Sequence, residues 1–361
     1  MNIKIPLSKP TITEEMKDAV LKVLDSSRFV KGPVLEKFES EFSKYCGAKY
    51  GVGVSSGTAA IYLALRALDI KSGDEVIVPS LSFIASASPI LMVGATPKFV
   101  DVDESYCIDI NDLKKKISGK TKAIICVHLY GQMCNMDEIM ALKEKYGFVL
   151  IEDCAQAHGA EFRGKKAGSF GDISAFSFFP SKNMTVCGDG GMAITSDSGL
   201  YEKLKMLRDH GRTDKYLHHI LSMNFRMSEI SAAIGMEQLK HLDEWDAKRR
   251  EIAKIYNQLL SGKIEKPREF EHRKHVYHLY VIRAKNREEL KEYLLKNEIA
   301  SDVHYPVPIH LQPIFSKYSA PLKNTERFAK EILSLPIYPG LEKKEIEEVC
   351  EKVNLYFESE K

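Results

Sequence analysis

Along roughly the first 200 residues, short apolar runs rich in Val and Ile alternate with stretches whose apolar positions recur at helical spacing. The runs at 50–54, 75–78, 98–100, 123–127, 148–152, 173–178 and 192–195 read as strands, with helices between them at 58–68 and 136–146. Near-continuous apolar strands separated by amphipathic helices predict a largely parallel, seven-stranded sheet covered on both faces. Ahead of it, Thr11 and Glu14 have capping-box spacing, and Met16, Ala19, Val20, Val23 and Leu24 trace one helical face. From 224 to about 260 the pattern is helical throughout. A β-like run (275–283), a helix (287–296), a Pro-rich segment (305–313) and a last helix (342–357) follow. This order predicts a large α/β domain over 1–240, including the N-terminal helical segment, and a smaller α+β domain over 241–361.

Composition removes several function classes. Lys plus Arg total 52 against 50 for Asp plus Glu, a net charge of +2, which argues against an electrostatic nucleic-acid binder. No apolar run approaches the ~18 residues a membrane span needs, and MNIKIPLSKP has no leader-like apolar core. The seven cysteines are irregularly spaced without a C-x-x-C pair, as expected of reduced thiols in a cytoplasmic protein.

In open α/β sheets, ligands bind beyond the carboxyl ends of the strands. Three such ends carry unusual polar residues. Val54-Ser55-Ser56-Gly57-Thr58 runs from a strand into a helix N-terminus, which is either an ordinary cap or a phosphate cradle. Asp153 closes an apolar strand, with Gln156 three residues on; it fits a helix cap, a metal ligand or the partner of a protonated ring nitrogen. Lys182 follows the apolar strand that ends near Ser177, where partial desolvation would make its amine nucleophilic, although a lone lysine is more often a solvated side chain. Together, an anion cradle, a carboxylate and a poised lysine are the parts needed to hold pyridoxal 5'-phosphate: phosphate in the cradle, Schiff base on the lysine, pyridinium nitrogen on the aspartate.

At this point the chain resembles the fold-type I pyridoxal-phosphate enzymes of the DegT/StrS group, the nucleotide-sugar aminotransferases. The ordered runs that carry the resemblance are IPLSKP at 5–10, GP at 32–33, SGTAA at 56–60, GDEVIVP at 73–79 and GATP at 94–97. They continue with HLYGQ at 128–132, EDCAQAHG at 152–159, SFFPSKN at 177–183, NFRMSE at 224–229 and HYPVP at 304–308.

The resemblance implies that Lys182 is the Schiff-base lysine and proton-moving base, and that Asp153 keeps the ring nitrogen protonated. It implies that Gln156 contacts the ring hydroxyl, that Gly57, Thr58 and Ser177 bind phosphate, and that Asn224 reaches the phosphate from the neighbouring subunit of a homodimer. Phe83 becomes the stacking face, and His304, Tyr305, His310 and Tyr338 become sugar or nucleotide contacts. The implied reaction carries an amino group from L-glutamate to a nucleotide-linked keto-sugar, making an amino sugar for glycan or polysaccharide synthesis.

Phe179 stands where some members have histidine, so no role is assigned to that histidine here. Together with the run GDGG at 188–191, it favours 3-keto over 4-keto substrates. A dehydratase branch replaces the lysine with histidine; Lys182 argues against it. The remaining alternatives are a non-catalytic regulatory protein that keeps the fold, and aromatization. His158 reads as a packed structural histidine, and His218 and His219 as a surface pair without the further ligands a zinc site requires.

Overall fold

The structure, a computed structural model, describes residues 3–359. Its central sheet contains β1 (Tyr50–Val54), β2 (Glu75–Pro79), β3 (Thr96–Val100), β4 (Thr121–Val127), β5 (Val149–Asp153), β6 (Ile173–Ser177) and β7 (Gly191–Thr195). The spatial order is β1-β7-β6-β5-β4-β2-β3. Pairings β2–β3, β2–β4, β4–β5 and β5–β6 are parallel, while β7 runs antiparallel to both β6 and β1. All seven strands anticipated from the apolar runs are present, most shifted by one or two residues at an end.

The direction of β7 has a chemical consequence. Because it reverses, its first residue, Gly191, lies beside the last residues of both β1 and β6: Val54 and Ser177 are its partners in the ladder. The carboxyl ends of β1, β5 and β6 therefore share one edge of the sheet.

Helix α1 (Glu14–Ser26) begins two residues away from the expected cap. Thr13, not Thr11, is its N-cap, accepting from the Met16 N–H at 3.4 Å. Met16 and Val23 are buried, but Leu24 on the same apolar stripe is exposed. Helix α2 (Pro33–Tyr45) starts with proline at its first position, where the missing N–H costs nothing, and buries Leu35, Phe38 and Phe42.

Helix α3 (Gly57–Ala67) follows β1 directly and is almost wholly buried. The long helix α4 (Glu229–Leu259) is capped by Ser228, so residues 224–228 are extended rather than helical: Arg226 bridges to Val54, and Ser55 N–H donates to the Phe225 carbonyl at 2.8 Å.

Past α4, only Tyr280–Arg283 of the β-like run is strand, β8. It pairs with β9 (Ile332–Leu335), which had no clear sequence signal. Helices Arg287–Lys296 and Lys343–Ser359 complete this part. Position 240 falls inside α4, and buried residues of β8 and β9 belong to the same apolar cluster as α3 and β2.

Candidate active site

The phosphate-type cradle is built by close backbone packing. A Cβ on Gly57 would come within 2.7 Å of Ser177 Cβ, and one on Gly191 within 2.4 Å of the Ser56 carbonyl carbon. Glycine at both positions lets β7 and the start of α3 approach closely enough to place the Ser177 side chain at the helix N-terminus. Ser56 caps α3 by accepting from the Ala59 N–H at 3.1 Å, and its carbonyl accepts from Ala60. The N–H groups of Gly57 and Thr58 precede those bonds and have no intrahelical acceptor, the condition that favours an anion.

Asp153 ends β5 in the middle of the sheet and is buried. Its Oδ2 accepts from the Ser86 hydroxyl at 2.7 Å and its Oδ1 from the Ala155 N–H at 3.1 Å. Ser86 is itself within 2.7 Å of Ser82 Oγ, so a short hydroxyl chain fixes the carboxylate. These contacts orient the carboxyl group and leave lone pairs for a further partner.

Lys182 lies on the turn after β6, its N–H donating to the Phe179 carbonyl at 2.9 Å. It is half-buried. Desolvation pushes its amine down to about 8, with the nearby Asp153 carboxylate opposing the shift. His158 lies against Phe42, Phe176 and Phe178. Burial, then the Lys182 charge, lowers it to about 3, so it is neutral.

A second layer lies over the carboxylate. Gln156 Oε1 accepts from the Tyr130 N–H at 2.8 Å, and its Nε2 donates to the Tyr305 hydroxyl at 3.2 Å. The Tyr305 ring is 5.6 Å from that of Phe83, which is 53% exposed and therefore has a free face. The Tyr130 hydroxyl donates to the His304 carbonyl, and the His304 ring contacts Ser334 Oγ at 2.9 Å.

Such a site offers an anion cradle, a buried carboxyl group, a nucleophilic amine and an exposed aromatic ring. The model of the DegT/DnrJ/EryC1/StrS aminotransferase family matches residues 10–354. The chain belongs to this family.

Among its relatives, a dTDP-3-amino-3,6-dideoxy-alpha-D-galactopyranose transaminase from Aneurinibacillus thermoaerophilus is 43% identical over 348 residues, 95% of each chain. A protein named pleiotropic regulatory protein from Geobacillus stearothermophilus is 42% identical over 356 residues, 95% of this chain and 96% of its own. The X-ray structure of S. venezuelae DesV superposes with a TM-score of 0.92 at 41% identity, covering 95% of this chain and 94% of that one. As a family member the chain is a pyridoxal-phosphate-dependent sugar aminotransferase, and the donors present fit that cofactor. Gly57, Thr58 and Ser177 suit its phosphate, Asp153 its ring nitrogen and Lys182 its carbonyl carbon.

Not every residue expected from the aminotransferase resemblance joins this cluster. Asn224 is exposed next to the end of β1, its Oδ1 accepting from the Arg226 N–H at 3.1 Å. His310 is fully buried, with Nδ1 2.6 Å from Ser80 Oγ and Nε2 3.4 Å from Glu326, so both ring nitrogens have partners within the fold. Tyr338 is likewise buried in the apolar cluster shared with β8 and β9. Both residues expected as substrate contacts are thus packed inside the fold of the single chain.

The sequence reading missed Ser86, which holds Asp153, and Glu152, whose carboxylate points to the opposite side of β5. Glu152 accepts from Gly168, Phe170 and Gly171 N–H, from Ser174 Oγ and from the His128 ring. His128 and Glu152 also lie within 4.8 Å of ligand-type atoms on cysteines. Their polar atoms are already occupied: His128 Nδ1 accepts from the Cys134 N–H at 3.1 Å while Nε2 faces Glu152.

Proposed function

We propose that this aminotransferase takes its amino group from L-glutamate and delivers it to a nucleotide-linked sugar with its keto group at C3, in the supply of amino sugars for glycans or polysaccharides. The observation that carries the reading is Lys182, half-buried beside Asp153 with its amine lowered to about 8, next to the anion cradle of Gly57 and Ser177. The C3 preference is supported by Phe179 within SFFPSK and by the 3-amino product named for the Aneurinibacillus relative.

When bound, pyridoxal phosphate supplies an electrophilic carbonyl and an electron sink. Lys182 would provide the nucleophilic amine toward that carbonyl and the base that moves the substrate proton. Asp153 keeps the ring nitrogen protonated. Gly57 and Thr58 N–H with Ser177 Oγ hold the phosphate, Gln156 meets the ring hydroxyl, and Phe83 covers one ring face. His304 and Tyr305 line the substrate side. Burial first, then the Lys182 charge, keeps His304 low, partly offset by Asp302, so it acts as a neutral hydrogen-bonding group at neutral pH.

A homodimer is part of this reading. Leu21, Leu24, Phe29, Val30, Leu221 and Met223 are all exposed, and Asn224, exposed too, follows Met223 directly; these apolar side chains support a second copy packing against them. The six buried free cysteines suit a reducing cytoplasm. Among the described residues, no helix is long and apolar enough to cross a membrane.

The test is the absorption spectrum of the purified protein before and after L-glutamate. A visible band that bleaches with glutamate and is absent in Lys182→Ala is expected, followed by amination of 3-keto in preference to 4-keto nucleotide sugars. A protein with no visible band after incubation with pyridoxal phosphate would instead be a regulatory scaffold.

A further inference from the structure

Lys182 stands on a segment without a ladder of its own. After Ser177 the chain leaves the sheet and returns only at Gly191, so residues 178–190 depend on isolated contacts for their position. The strongest of these beside the lysine is made by its neighbour. Asn183 is buried; its Nδ2 donates to Asp246 Oδ1 at 2.8 Å and to the Val276 carbonyl at 3.2 Å, and its Oδ1 lies 3.2 Å from His278 Nδ1.

Asp246 belongs to α4 and is buried, an expensive place for a carboxyl group unless it does something the fold needs. Its second oxygen, Oδ2, has no hydrogen-bond partner among the described residues. That oxygen lies 2.2 Å from where a Cβ on Gly159 would sit, so Gly159, at φ +79, is packed against it. Gly159 closes the segment that starts at Asp153. One carboxyl group therefore touches both halves of the site: the loop carrying Lys182 and the segment carrying Asp153 and Gln156. One turn further along α4, Arg249 Nη1 donates to the carbonyls of Tyr277, His278 and Ile337, fixing the segment before β8 that carries Asn183's other partners, Val276 and His278.

We propose that Asp246 is a positioning residue for Lys182, acting through the side chain of Asn183. It sets the distance between the lysine amine and the Asp153 carboxylate without touching either group. The inference rests on the role given to Lys182 above. Burial raises the Asp246 carboxyl to about 8, against the Asn183 bond and the Arg249 charge. At neutral pH asparagine is then a close mimic, since it keeps an acceptor oxygen for Asn183. Alanine is not.

The test compares Asp246→Ala, Asp246→Asn, Asn183→Ala and the Asp246→Ala/Asn183→Ala double variant. The first readout needs no turnover: in cofactor-free full-length protein, the pH dependence of Lys182 acylation is followed by peptide mass spectrometry. The groups that face this amine are Asp153, His158, His278 and His304, all retained in every variant.

In wild type the midpoint is expected near 8. In Asp246→Ala and Asn183→Ala it should rise toward the ordinary lysine value as the loosened loop admits water, while Asp246→Asn stays near wild type. The second readout is the rate of bleaching by L-glutamate in the loaded enzyme. It should fall roughly 10- to 100-fold in either alanine variant with little change in half-saturating glutamate, and no further in the double variant.

Folded alanine variants that keep the wild-type midpoint and a bleaching rate within about threefold would overturn the proposal, as would multiplicative losses in the double variant. Should Asp246→Ala fail to fold, Asn183→Ala and Asp246→Asn still decide by the same criteria. A wild type that never bleaches with glutamate would refute the catalytic role of Lys182, whereas the acylation midpoints would still report on the tether.

Discussion

Glu152 offers the most demanding test of how this site is supported. The perturbation is Glu152→Ala. In the structure this carboxylate is fully buried and accepts five hydrogen bonds: from Gly168 N–H at 3.1 Å, Phe170 N–H at 2.8 Å, Gly171 N–H at 2.6 Å, Ser174 Oγ at 3.0 Å and the His128 ring at 2.9 Å. Ser174 Oγ has a second partner, the Gly168 carbonyl, and is not orphaned by the change. The three backbone N–H groups would be, at about 1–3 kcal/mol each. With part of that recovered by water entering the space, a loss of roughly 4–6 kcal/mol follows, a large share of the ~5–15 kcal/mol that holds a domain folded. Glu152→Gln keeps one acceptor oxygen and should cost roughly half as much.

The pH dependence gives a second handle. Burial alone would raise the Glu152 carboxyl, but the His128 bond and charge and the Gly171 and Gly168 N–H groups outweigh it and leave it below its ordinary 4.5. A depressed carboxylate stabilises the fold at all pH values above its unfolded value and loses that contribution as pH falls through the folded one. The stability gap between wild type and Glu152→Ala, measured by urea denaturation, should therefore stay level from neutral pH down to 4.5 and narrow only below it. A gap under about 1 kcal/mol would refute the view of Glu152 as a hub. A gap that already narrows well above pH 4.5 would refute the view of this carboxylate as a depressed anion that stabilises the fold.

Three further outcomes are expected. Gly57→Ala, whose Cβ would meet Ser177 Cβ at 2.7 Å, should fold yet bind pyridoxal phosphate at least about tenfold more weakly by spectroscopic titration, while Gly188→Ala, with no atom within 4 Å of its Cβ, should bind as wild type. The rate at which cofactor-free protein regains its visible band should rise with pH and level off above about 8, because desolvation makes the Lys182 amine neutral there; a rise continuing to pH 10 would contradict that burial. Ser86→Ala removes the hydroxyl donor 2.7 Å from Asp153 Oδ2, and is expected to slow glutamate bleaching about three- to tenfold through a less firmly held carboxylate, with little change in thermal midpoint.

What the sequence made legible depended on distance along the chain. The strands could be read because sheet burial on both faces leaves unbroken apolar runs such as 123–127, and Asp153 and Lys182 could be read because each interrupts or follows such a run. The antiparallel direction of β7 could not, since a strand buried at every position has the same pattern in either direction; yet that reversal brings Gly191 between Val54 and Ser177. Thr11 and Thr13 are equivalent cap candidates by residue type, and only the Met16 contact separates them.

The packed surroundings of His310 and Tyr338 were hidden for a different reason. A motif position cannot reveal that Ser80, 230 residues away, and Glu326 already occupy the His310 ring. The supporting residues are hidden in the same way. Ser86 lies 67 residues from Asp153, and Asp246 lies 63 from Asn183. Neither pair shares an element or a periodicity that a single sequence displays. The reacting groups sit at strand ends, where local pattern marks them, whereas the groups that aim them come from α4 and from the loops after β2 and before β8. A substitution at these unmarked positions should therefore alter catalysis while leaving every recognisable motif intact, and Asp246→Ala and Ser86→Ala are the direct tests of that separation.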